Sequence, residues 1–530
     1  METVKKENLI LTTENKNIII LGGGSAGWMT AATLIKCFPD KKITVIESPN
    51  IPIVGVGEST LQFIRGWSSL LEVDDKEFLS KCNGTYKLSI KFNDFYKKGE
   101  SFHYPFGDPV TGWLHVGVND WWMKQMVDPQ PQSDYAETLY PSMGMVRANT
   151  LSHNKPETIQ DFKFHKHTAF HFDATQFGLW LKDNFCIPRG VKNIKEEITD
   201  IEHDETGIKS LNKKYTADLF IDCTGFKSLL LSETLKEPFT SFSDLLPNDS
   251  AWAVHLPYKD KKKEIFNYTD CTAIENGWVW RIPLWSRIGS GYVYSSKFVS
   301  KEKALEEFKI HLNKKGYKPE ELTFKHIDMR VGIHERLWVK NVCAIGLSAG
   351  FIEPLESNGL YTVHEFLLEL VRALHREKTS QFDKDNFNHT CTQMFYNFAD
   401  FVALHYALSQ RTDTPYWKSL FEKEWINNLL KRNGTLTNGI EKVVSIKNFE
   451  YKFSLDNGIH IIAAGMNWAP TNLETIVARQ IDNNFMSWKM QFERSARILK
   501  NQKDRWYKYA KENDSTYDFL KKNIYTTSQV

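Results

Sequence analysis

The feature that most constrains this chain is a glycine-rich stretch near its start. A short apolar run ending at Leu21 leads into a Gly-x-Gly-x-x-Gly turn at Gly22, Gly24 and Gly27, and apolar residues at helical spacing follow. A strand, a tight turn and a helix in this order place bare backbone and helix N-terminal amides against negative charge, such as a pyrophosphate. The pattern predicts a parallel α/β fold with a bound dinucleotide; the alternative is a glycine-rich turn without a ligand.

The next segments support the dinucleotide. A second strand-like run ends in Glu47, twenty residues after Gly27, where an acid can hold a ribose hydroxyl. The glycines Gly55 and Gly57 then precede Glu58-Ser59-Thr60, which reads as a hinged loop opening a helix. This loop is either a plain connector or a strap over a cofactor that extends beyond its pyrophosphate.

Composition sets the class of protein. The chain has 530 residues, enough for two or three domains, is 41% hydrophobic and carries a formal charge of +2, so no global field favours nucleic acid or an anionic membrane. The seven scattered cysteines never show Cys-x-x-Cys spacing, which argues against a zinc site or a disulfide framework. No signal-peptide core and no membrane-spanning apolar run is present. We expect a cytoplasmic protein without a metal, nucleic-acid or membrane partner.

Two strand-like runs carry candidate chemistry. Between residues 85 and 92, apolar residues alternate with Lys87, Ser89 and Lys91, which predicts a strand with one polar face. By pattern alone Lys87 is a solvated lysine, whereas a lysine facing a closed cavity would have a lowered pKa and be reactive. In a β-rich region at residues 250–300, Trp278 and Trp280 fall on one face of a strand. Paired tryptophans of this kind are by default core anchors.

The later chain predicts a further buried strand and then mainly helix. Residues 342–346 are an apolar run, and Ser357-Asn358-Gly359 precedes a helical pattern from Leu360 to about His375, so its first amides can bind a small anion. From Asp383 onward the periodicity is mostly helical. The chain divides in this interpretation into an interleaved unit at 1–400, with insertions near 99–160 and 235–330, and a mostly helical region at 401–530.

Taken together, these motifs resemble the flavin-dependent halogenases, in the tryptophan-halogenase-like branch. The resemblance covers about Asn17 to Trp417 and rests on the glycine turn, the Trp-x-Trp-x-Ile-Pro run that ends at Pro283, and the Pro354-Leu355-Glu356-Ser357 segment. It implies a Rossmann-like, two-dinucleotide-type FAD fold with a β-rich substrate region. It also sharply favours the reactive interpretation of Lys87.

The resemblance implies a chemistry and a site. Reduced FAD (FADH2), O2 and a halide ion (chloride, bromide or iodide) give hypohalous acid, which Lys87 holds by a hydrogen bond or as a haloamine. An electron-rich aromatic ring then attacks the halogen, and Glu356 stabilises the cationic ring or takes its proton. The implied cofactor ligands are Gly22, Gly24, Ser25, Ala26, Gly27, Glu47, Gly57, Glu58, Ser59 and Leu347; the halide ligands are Ser357, Asn358 and Gly359; the substrate and tunnel walls are Trp278, Trp280, Pro283, His103 and Phe106.

The chain also departs from the family pattern. Enzymes of free tryptophan carry paired tyrosines late in the chain, where this sequence reads residues 456–465 without them, so we expect an indole, phenol or other heteroarene instead. Only one Gly-x-Gly-x-x-Gly lies between a strand and a helix, so reduced flavin would come from a separate reductase. An FAD-dependent aromatic monooxygenase or epoxidase is the main alternative, followed by a non-catalytic flavoprotein, and the protein is a possible homo-oligomer.

Overall fold

The glycine-rich stretch forms the predicted strand, turn and helix. The computed structural model describes residues 15–50, 58–110, 125, 129–153, 162–376, 378–421, 455–468 and 485–526. Within these ranges the strands are β1 Asn17–Leu21, β2 Lys42–Glu47, β3 Glu58–Ser59, β4 Thr85–Lys87, β5 Ser89–Asn93, β6 Ser101–Pro105, β7 Ala169–Phe172, β8 Lys192–Lys195, β9 Ile201–Asp204, β10 Gly207–Leu211, β11 Leu219–Asp222, β12 Phe239–Ser241, β13 Ser250–Leu256, β14 Tyr268–Ile274, β15 Gly277–Pro283, β16 Ile288–Tyr294, β17 Phe324–Asp328, β18 Gly332–His334, β19 Trp338–Val339, β20 Val342–Ala344 and β21 Gly350–Phe351.

The described helices begin with α1, which follows the glycine turn directly. They are α1 Ser25–Cys37, α2 Ile64–Leu71, α3 Asp75–Lys81, α4 Asp134–Leu139, α5 Ser142–Ala148, α6 Phe164–His167, α7 Ala174–Trp180, α8 Lys261–Glu264, α9 Lys301–Lys314, α10 Gly359–Leu374, α11 Gln381–Ala407, α12 Pro415–Phe421, α13 Leu455–Gly465, α14 Phe485–Ala510 and α15 Thr516–Asn523. None of these helices is both long and apolar enough to cross a lipid bilayer.

The side of the molecule that carries the glycine turn is built on a six-stranded sheet in the order β19-β20-β11-β1-β2-β8. Strand β1 pairs in parallel with β2 and with β11, and only the edge strand β19 is antiparallel. The apolar residues of β1 are buried, as expected for a parallel strand covered on both faces. This confirms the predicted α/β, Rossmann-like class.

The second large sheet has seven strands in the order β17-β13-β16-β15-β14-β5-β6. One face packs under α9, with Val279 and Tyr292 in a separate apolar cluster with Phe308. The opposite face, which carries Trp278 and Trp280, packs into the main core. The predicted strands at residues 250–300 and the shared face of the two tryptophans are therefore confirmed.

A separate small sheet has the order β3-β7-β4. Here the predicted polar face is wrong, because the run from residue 85 to 92 divides at Leu88 into β4 and β5, and both Lys87 and Ser89 are buried. Within the predicted insertion near residues 99–160, Ser101–Pro105 forms an edge strand of the seven-stranded sheet. The predicted boundary at residue 400 falls inside α11, and the division into units stays a prediction.

All seven cysteines lie in described parts of the chain and are free thiols. In the same ranges, no group of three or more His, Cys, Asp or Glu side chains is placed to hold a metal ion.

Candidate active site

The glycine turn leaves one side of the backbone open. Gly22 has φ +119, and a Cβ there would overlap the carbonyl oxygen of Cys223, while a Cβ at Gly27 would overlap the carbonyl of Gly22. These two glycines are required by close packing. At Gly24, in contrast, a Cβ would meet no protein atom within 4 Å. Gly24 thus faces open space at the start of α1, where a phosphate group would lie.

The surroundings of this turn fit a dinucleotide. Gly24 is the N-cap of α1 and gives no side-chain cap, so the first amides of the helix, at Ser25 and Ala26, have no acceptor from the helix itself. The Ser25 hydroxyl donates to the Ala174 carbonyl at 3.0 Å and does not block the amides. Glu47 ends β2 beside the turn and accepts from Lys182 Nζ at 3.0 Å.

The remaining predicted cofactor residues are placed unequally. Leu347 lies in the turn 346–348, where a Cβ on Gly346 would come within 2.8 Å of Ala26 Cβ, so this turn borders the start of α1. Glu58 belongs to β3, whose backbone pairs with β7, and Gly57 lies outside the described residues. Ser59 is hydrogen-bonded to Thr269 and to Ser357, and through Ser357 it belongs to the surroundings of Lys87.

Lys87 is the central group of the site. Its side chain is fully buried, and its ammonium nitrogen donates to the Thr60 carbonyl at 3.0 Å and to Ser357 Oγ at 2.8 Å. Burial lowers the pKa of Lys87 to about 7, although the negative charge of Glu356 opposes this shift. At neutral pH a large fraction of Lys87 is therefore the uncharged, nucleophilic amine. The Phe106 ring lies 5.0 Å from the nitrogen.

Glu356 is also fully buried and faces a histidine. His405 Nε2 lies 2.8 Å from Glu356 Oε1, and His405 Nδ1 donates to the Val402 carbonyl at 3.1 Å. Since Nδ1 carries a proton, two bare lone pairs would face each other at 2.8 Å unless Nε2 or Oε1 carries another. The ring and the carboxyl group are not aligned as a hydrogen bond, and both carboxyl oxygens keep acceptor capacity.

The three predicted halide residues form the turn that starts α10. Ser357 adopts the left-handed conformation with φ +59, Asn358 is the N-cap, and Gly359 is the first helical residue. Asn358 Nδ2 donates to the Glu353 carbonyl at 3.3 Å. Because no acidic side chain lies in the first turn, the helix N-terminus remains suited to an anion.

A second buried carboxyl group lies three residues before Glu356. Burial raises the pKa of Glu353 to about 8, and the neighbouring Tyr406 and Asn248 side chains oppose the shift. Glu353 is therefore mainly the neutral acid at pH 7. The segment holds two buried carboxyl groups in different environments.

Trp278 and Trp280 lie next to each other on one face of β15. The ring centroids of Trp278 and Trp280 lie 6.3 Å apart, and the Trp280 ring lies directly over Gly291, where a Cβ would overlap it. Pro283 ends the same strand, and its carbonyl accepts from the Thr85 hydroxyl at 2.7 Å. The two tryptophans share their sheet face with Cys271, the cross-strand partner of Trp280. Cys271 lies close enough to Lys87 to influence its pKa.

An aromatic pocket borders the Lys87 and Glu356 side. It contains about 390 Å³ of empty space, including solvent at its mouth, and its described walls are Leu61, Gln62, Phe63, Tyr104, Pro105, Phe106, Gly107, Asp108, Tyr140, Gly458 and Ile461. Burial raises the pKa of Tyr104 above its usual range, and the nearby charge of Glu356 adds to the shift. Phe106 and Tyr104 thus connect the pocket to Lys87 and Glu356.

His103 does not share that wall. Residues alternate along a strand, so His103 faces away from Tyr104, to the side where its ring contacts Tyr268 and hydrogen-bonds Ser89 Oγ at 3.0 Å. Burial lowers the pKa of His103 to about 3. The structure therefore places His103 apart from Phe106, on the opposite face of the sheet from the pocket wall, and its contact with a substrate stays a prediction.

Sequence reasoning missed the polar groups that hold the two central side chains. Thr60, Thr269 and His171 approach Lys87 directly or through other side chains, and His405 approaches Glu356. The only signal for His405 was a histidine inside an apolar helical run. Thr269 gave no signal, because a threonine in a strand is ordinary.

The comparisons with known proteins identify the relatives of the chain. A family model described as "Tryptophan halogenase" matches residues 17–482. Tryptophan 6-halogenase ThaL of Streptomyces albogriseolus is 32% identical over 491 residues, covering 86% of this chain and 90% of the relative. Among solved structures, "VirX1 apo structure" is 38% identical with a TM-score of 0.86, covering 97% of this chain and 100% of that one. Tar14, titled a tryptophan C-6 flavin-dependent halogenase (chlorinase) from taromycin biosynthesis, is 28% identical with a TM-score of 0.81 and covers 96% of this chain and 100% of its own.

Proposed function

The chain belongs to the tryptophan halogenase family of flavin-dependent enzymes, and we propose that it halogenates a neutral, electron-rich aromatic ring through Lys87. The observation that carries the proposal is the burial of Lys87, which leaves much of its amine uncharged at neutral pH beside an aromatic pocket. A lysine with no role in the chemistry would be placed in water, because burying it is costly.

The residues around the glycine turn fit FAD. The open face at Gly24 and the first amides of α1 would hold its pyrophosphate, and Glu47 would hold its ribose. When bound and reduced, FAD supplies with O2 the oxidation of a halide ion to hypohalous acid. The amides that follow Ser357 would hold the halide for that oxidation.

Lys87 takes over the halogen from hypohalous acid in one of two ways. As an ammonium it donates a hydrogen bond to the acid. As an amine it attacks the halogen, so that an N–halogen bond forms, the halogen–oxygen bond breaks, and one amine proton leaves with the hydroxide as water. Both forms of Lys87 are populated near its pKa of about 7. In either case the halogen stays electrophilic and lies next to the aromatic pocket.

Glu356 completes the substitution. The ring uses a π electron pair to bond the halogen, and the resulting cation must lose the proton from the carbon that was attacked. The carboxylate of Glu356 has free acceptor capacity for this proton, and His405 adjoins its Oε1. The proton then returns to the nitrogen or oxygen that released the halogen, so the reaction balances.

The pocket favours a neutral ring over an amino acid. Of its described walls only Asp108 is charged, and that carboxylate is already within 3.1 Å of Lys166 Nζ and 3.3 Å of His167 Nε2. Helix α13 lies where enzymes of free tryptophan carry the paired tyrosines, and here it contributes Gly458 and Ile461 to the pocket. No described wall residue offers a cation for a substrate carboxylate. An indole, phenol or related heteroarene therefore fits better than free tryptophan.

The proposed enzyme receives FADH2 from a separate flavin reductase. FAD would occupy the one dinucleotide turn that the sequence shows between a strand and a helix, which leaves no second such turn for a nicotinamide cofactor. The cytoplasmic location and a homo-oligomeric state stay predictions from the sequence.

The test is a product analysis. The protein is incubated with a panel of indoles, phenols and free tryptophan, together with FAD, a flavin reductase, NADH and O2, and with chloride, bromide or iodide supplied separately. Catalase removes reactions of leaked peroxide. We expect a mass shift of one halogen for one hydrogen, dependent on the halide. An oxygen-only mass shift without halide would instead establish the aromatic monooxygenase.

A further inference from the structure

A continuous file of hydrogen bonds runs from Lys87 into the protein interior. Its contacts are Lys87 Nζ to Ser357 Oγ at 2.8 Å, Ser357 Oγ to Ser59 Oγ at 3.1 Å, Ser59 Oγ to Thr269 Oγ1 at 2.7 Å, Thr269 Oγ1 to His171 Nε2 at 2.9 Å, His171 Nδ1 to Thr85 Oγ1 at 3.1 Å and Thr85 Oγ1 to the Pro283 carbonyl at 2.7 Å. All of these side chains are buried. The file joins residues from β3, β4, β7, β14, β15 and the turn before α10.

The last contact of the file, from Thr85 to the Pro283 carbonyl, fixes which group donates and which accepts at every other contact. The Pro283 carbonyl can only accept, so the single proton of Thr85 is spent there, and at the next contact Thr85 must accept from His171 Nδ1. Burial lowers the pKa of His171 well below its usual value, and the charge of Lys87 lowers it further, so the ring is neutral. With its one proton on Nδ1, His171 presents a bare Nε2. Thr269 therefore donates to His171.

The same count continues back to the lysine. Each hydroxyl has one proton, so Thr269 must accept from Ser59, and Ser59 must accept from Ser357. The proton of Ser357 is then spent as well. At its contact with Lys87, Ser357 can only accept.

This direction matters for the uncharged amine. An amine has two N–H groups, and the Thr60 carbonyl and Ser357 Oγ are both acceptors for them. The fourth tetrahedral position on the nitrogen is then the lone pair. If Ser357 could instead turn its O–H toward the nitrogen, that lone pair would be occupied by a hydrogen bond and lose nucleophilicity.

We propose that Thr269 and His171 are positioning residues, which fix the direction of this file so that Ser357 only accepts and the Lys87 amine keeps its lone pair free. The proposal rests on the function of Lys87 proposed above. Neither residue touches the halogen or the ring; both act through Ser59 and Ser357.

The test uses a small reagent that reacts with amines, and its reaction with Lys87 does not depend on halogenation. The full-length protein is treated with cyanate at pH 8. The reactive form of cyanate, isocyanic acid, is small and neutral, and its carbamylation of Lys87 is followed by peptide mass spectrometry. The part-exposed Lys91 in the same samples is the internal standard. The variants are Thr269→Val and Thr85→Val, each of which removes a link, and Thr269→Ser and Thr85→Ser, which keep the hydroxyl.

We expect both valine variants to slow carbamylation of Lys87 about fivefold, the effect of one added hydrogen bond on the lone pair, and both serine variants to react like wild type. Thr85→Val is the sharper test, because Thr85 acts on Lys87 only by fixing the tautomer of His171. We also expect the double valine variant to be no slower than either single variant, since one break already leaves Ser357 free to donate to the amine.

Carbamylation rates that stay at the wild-type value in the valine variants would overturn the proposal, and so would serine variants as slow as the valine ones. A wild-type Lys87 that cyanate leaves untouched would overturn it too, because its lone pair would not be free. A protein that carbamylates as expected but gives no halogenated product would instead contradict the proposed function.

Discussion

Replacing Lys87 by methionine tests whether burial neutralises this lysine. Its pKa falls from 10.5 to about 7 in the folded protein. Because the folded pKa lies below the unfolded one, the unfolded chain binds more protons between pH 7 and pH 10.5, and wild-type stability rises with pH across that window. With about 1.4 kcal/mol for each pKa unit, the buried lysine costs about 4 kcal/mol of the free energy of unfolding at pH 7 and about 2 kcal/mol at pH 9.

The quantity to measure is the difference in the free energy of unfolding between Lys87→Met and wild type, and how this difference changes from pH 7 to pH 9. Urea unfolding of wild type and Lys87→Met is followed by tryptophan fluorescence at pH 7 and pH 9. The absolute gap also contains the lost hydrogen bonds to Thr60 and Ser357, but these contribute equally at both pH values. We expect the advantage of Lys87→Met to shrink by about 2 kcal/mol at pH 9. Lys91→Met, at a part-exposed lysine of β5, is the matched control and should show no such change. A gap for Lys87→Met that is the same at both pH values would refute the reasoning.

Three further results are expected. Gly24→Ala should fold normally, because a Cβ there meets no protein atom, but lose FAD affinity by at least about tenfold in a fluorescence titration; Gly66→Ala, at another glycine with open space around its Cβ, is the control. His405→Phe should slow proton removal by Glu356 by at least about tenfold and give a primary isotope effect with a ring-deuterated substrate, whereas an isotope effect near unity in both proteins would contradict the pairing. Glu353→Gln should remove a loss of stability in unfolding experiments between pH 4.5 and about 8, since the raised pKa makes the folded protein bind more protons in that window; a wild-type slope identical to that of the variant would show that Glu353 is not the neutral acid.

The parts of the fold that were predictable depend on local pattern. The turn after Leu21 requires glycine for close backbone packing, so strand, turn and helix could be read directly from three glycines. The strand with Trp278 and Trp280 was predictable because Gly277 and Pro283 bound it and its side chains alternate.

The polar contacts of the site could not be predicted from pattern. The alternation around Lys87 indicates a solvent-facing side, yet the division of the run at Leu88 turns Lys87 into the interior between two sheets. Only the tertiary fold brings Thr269 of β14 and His171 of β7 within hydrogen-bonding distance. The position of His103 also depends on its neighbours in the fold: it adjoins Tyr104 in an aromatic run, and strand alternation places the two rings on opposite faces of the sheet.

The most direct test of the central claim separates formation of hypohalous acid from its transfer to the ring. Wild type and Lys87→Met are supplied with FAD, a flavin reductase, NADH, O2, bromide and an aromatic substrate from the panel. Halogenated product and escaped hypobromous acid, captured by a small-molecule trap, are then measured in the same reaction. We predict that Lys87→Met oxidises as much bromide as wild type but loses at least about a hundredfold of the ring product, with the oxidised bromide recovered in the trap. Ring product at the wild-type level in Lys87→Met would contradict the claim that Lys87 carries the halogen.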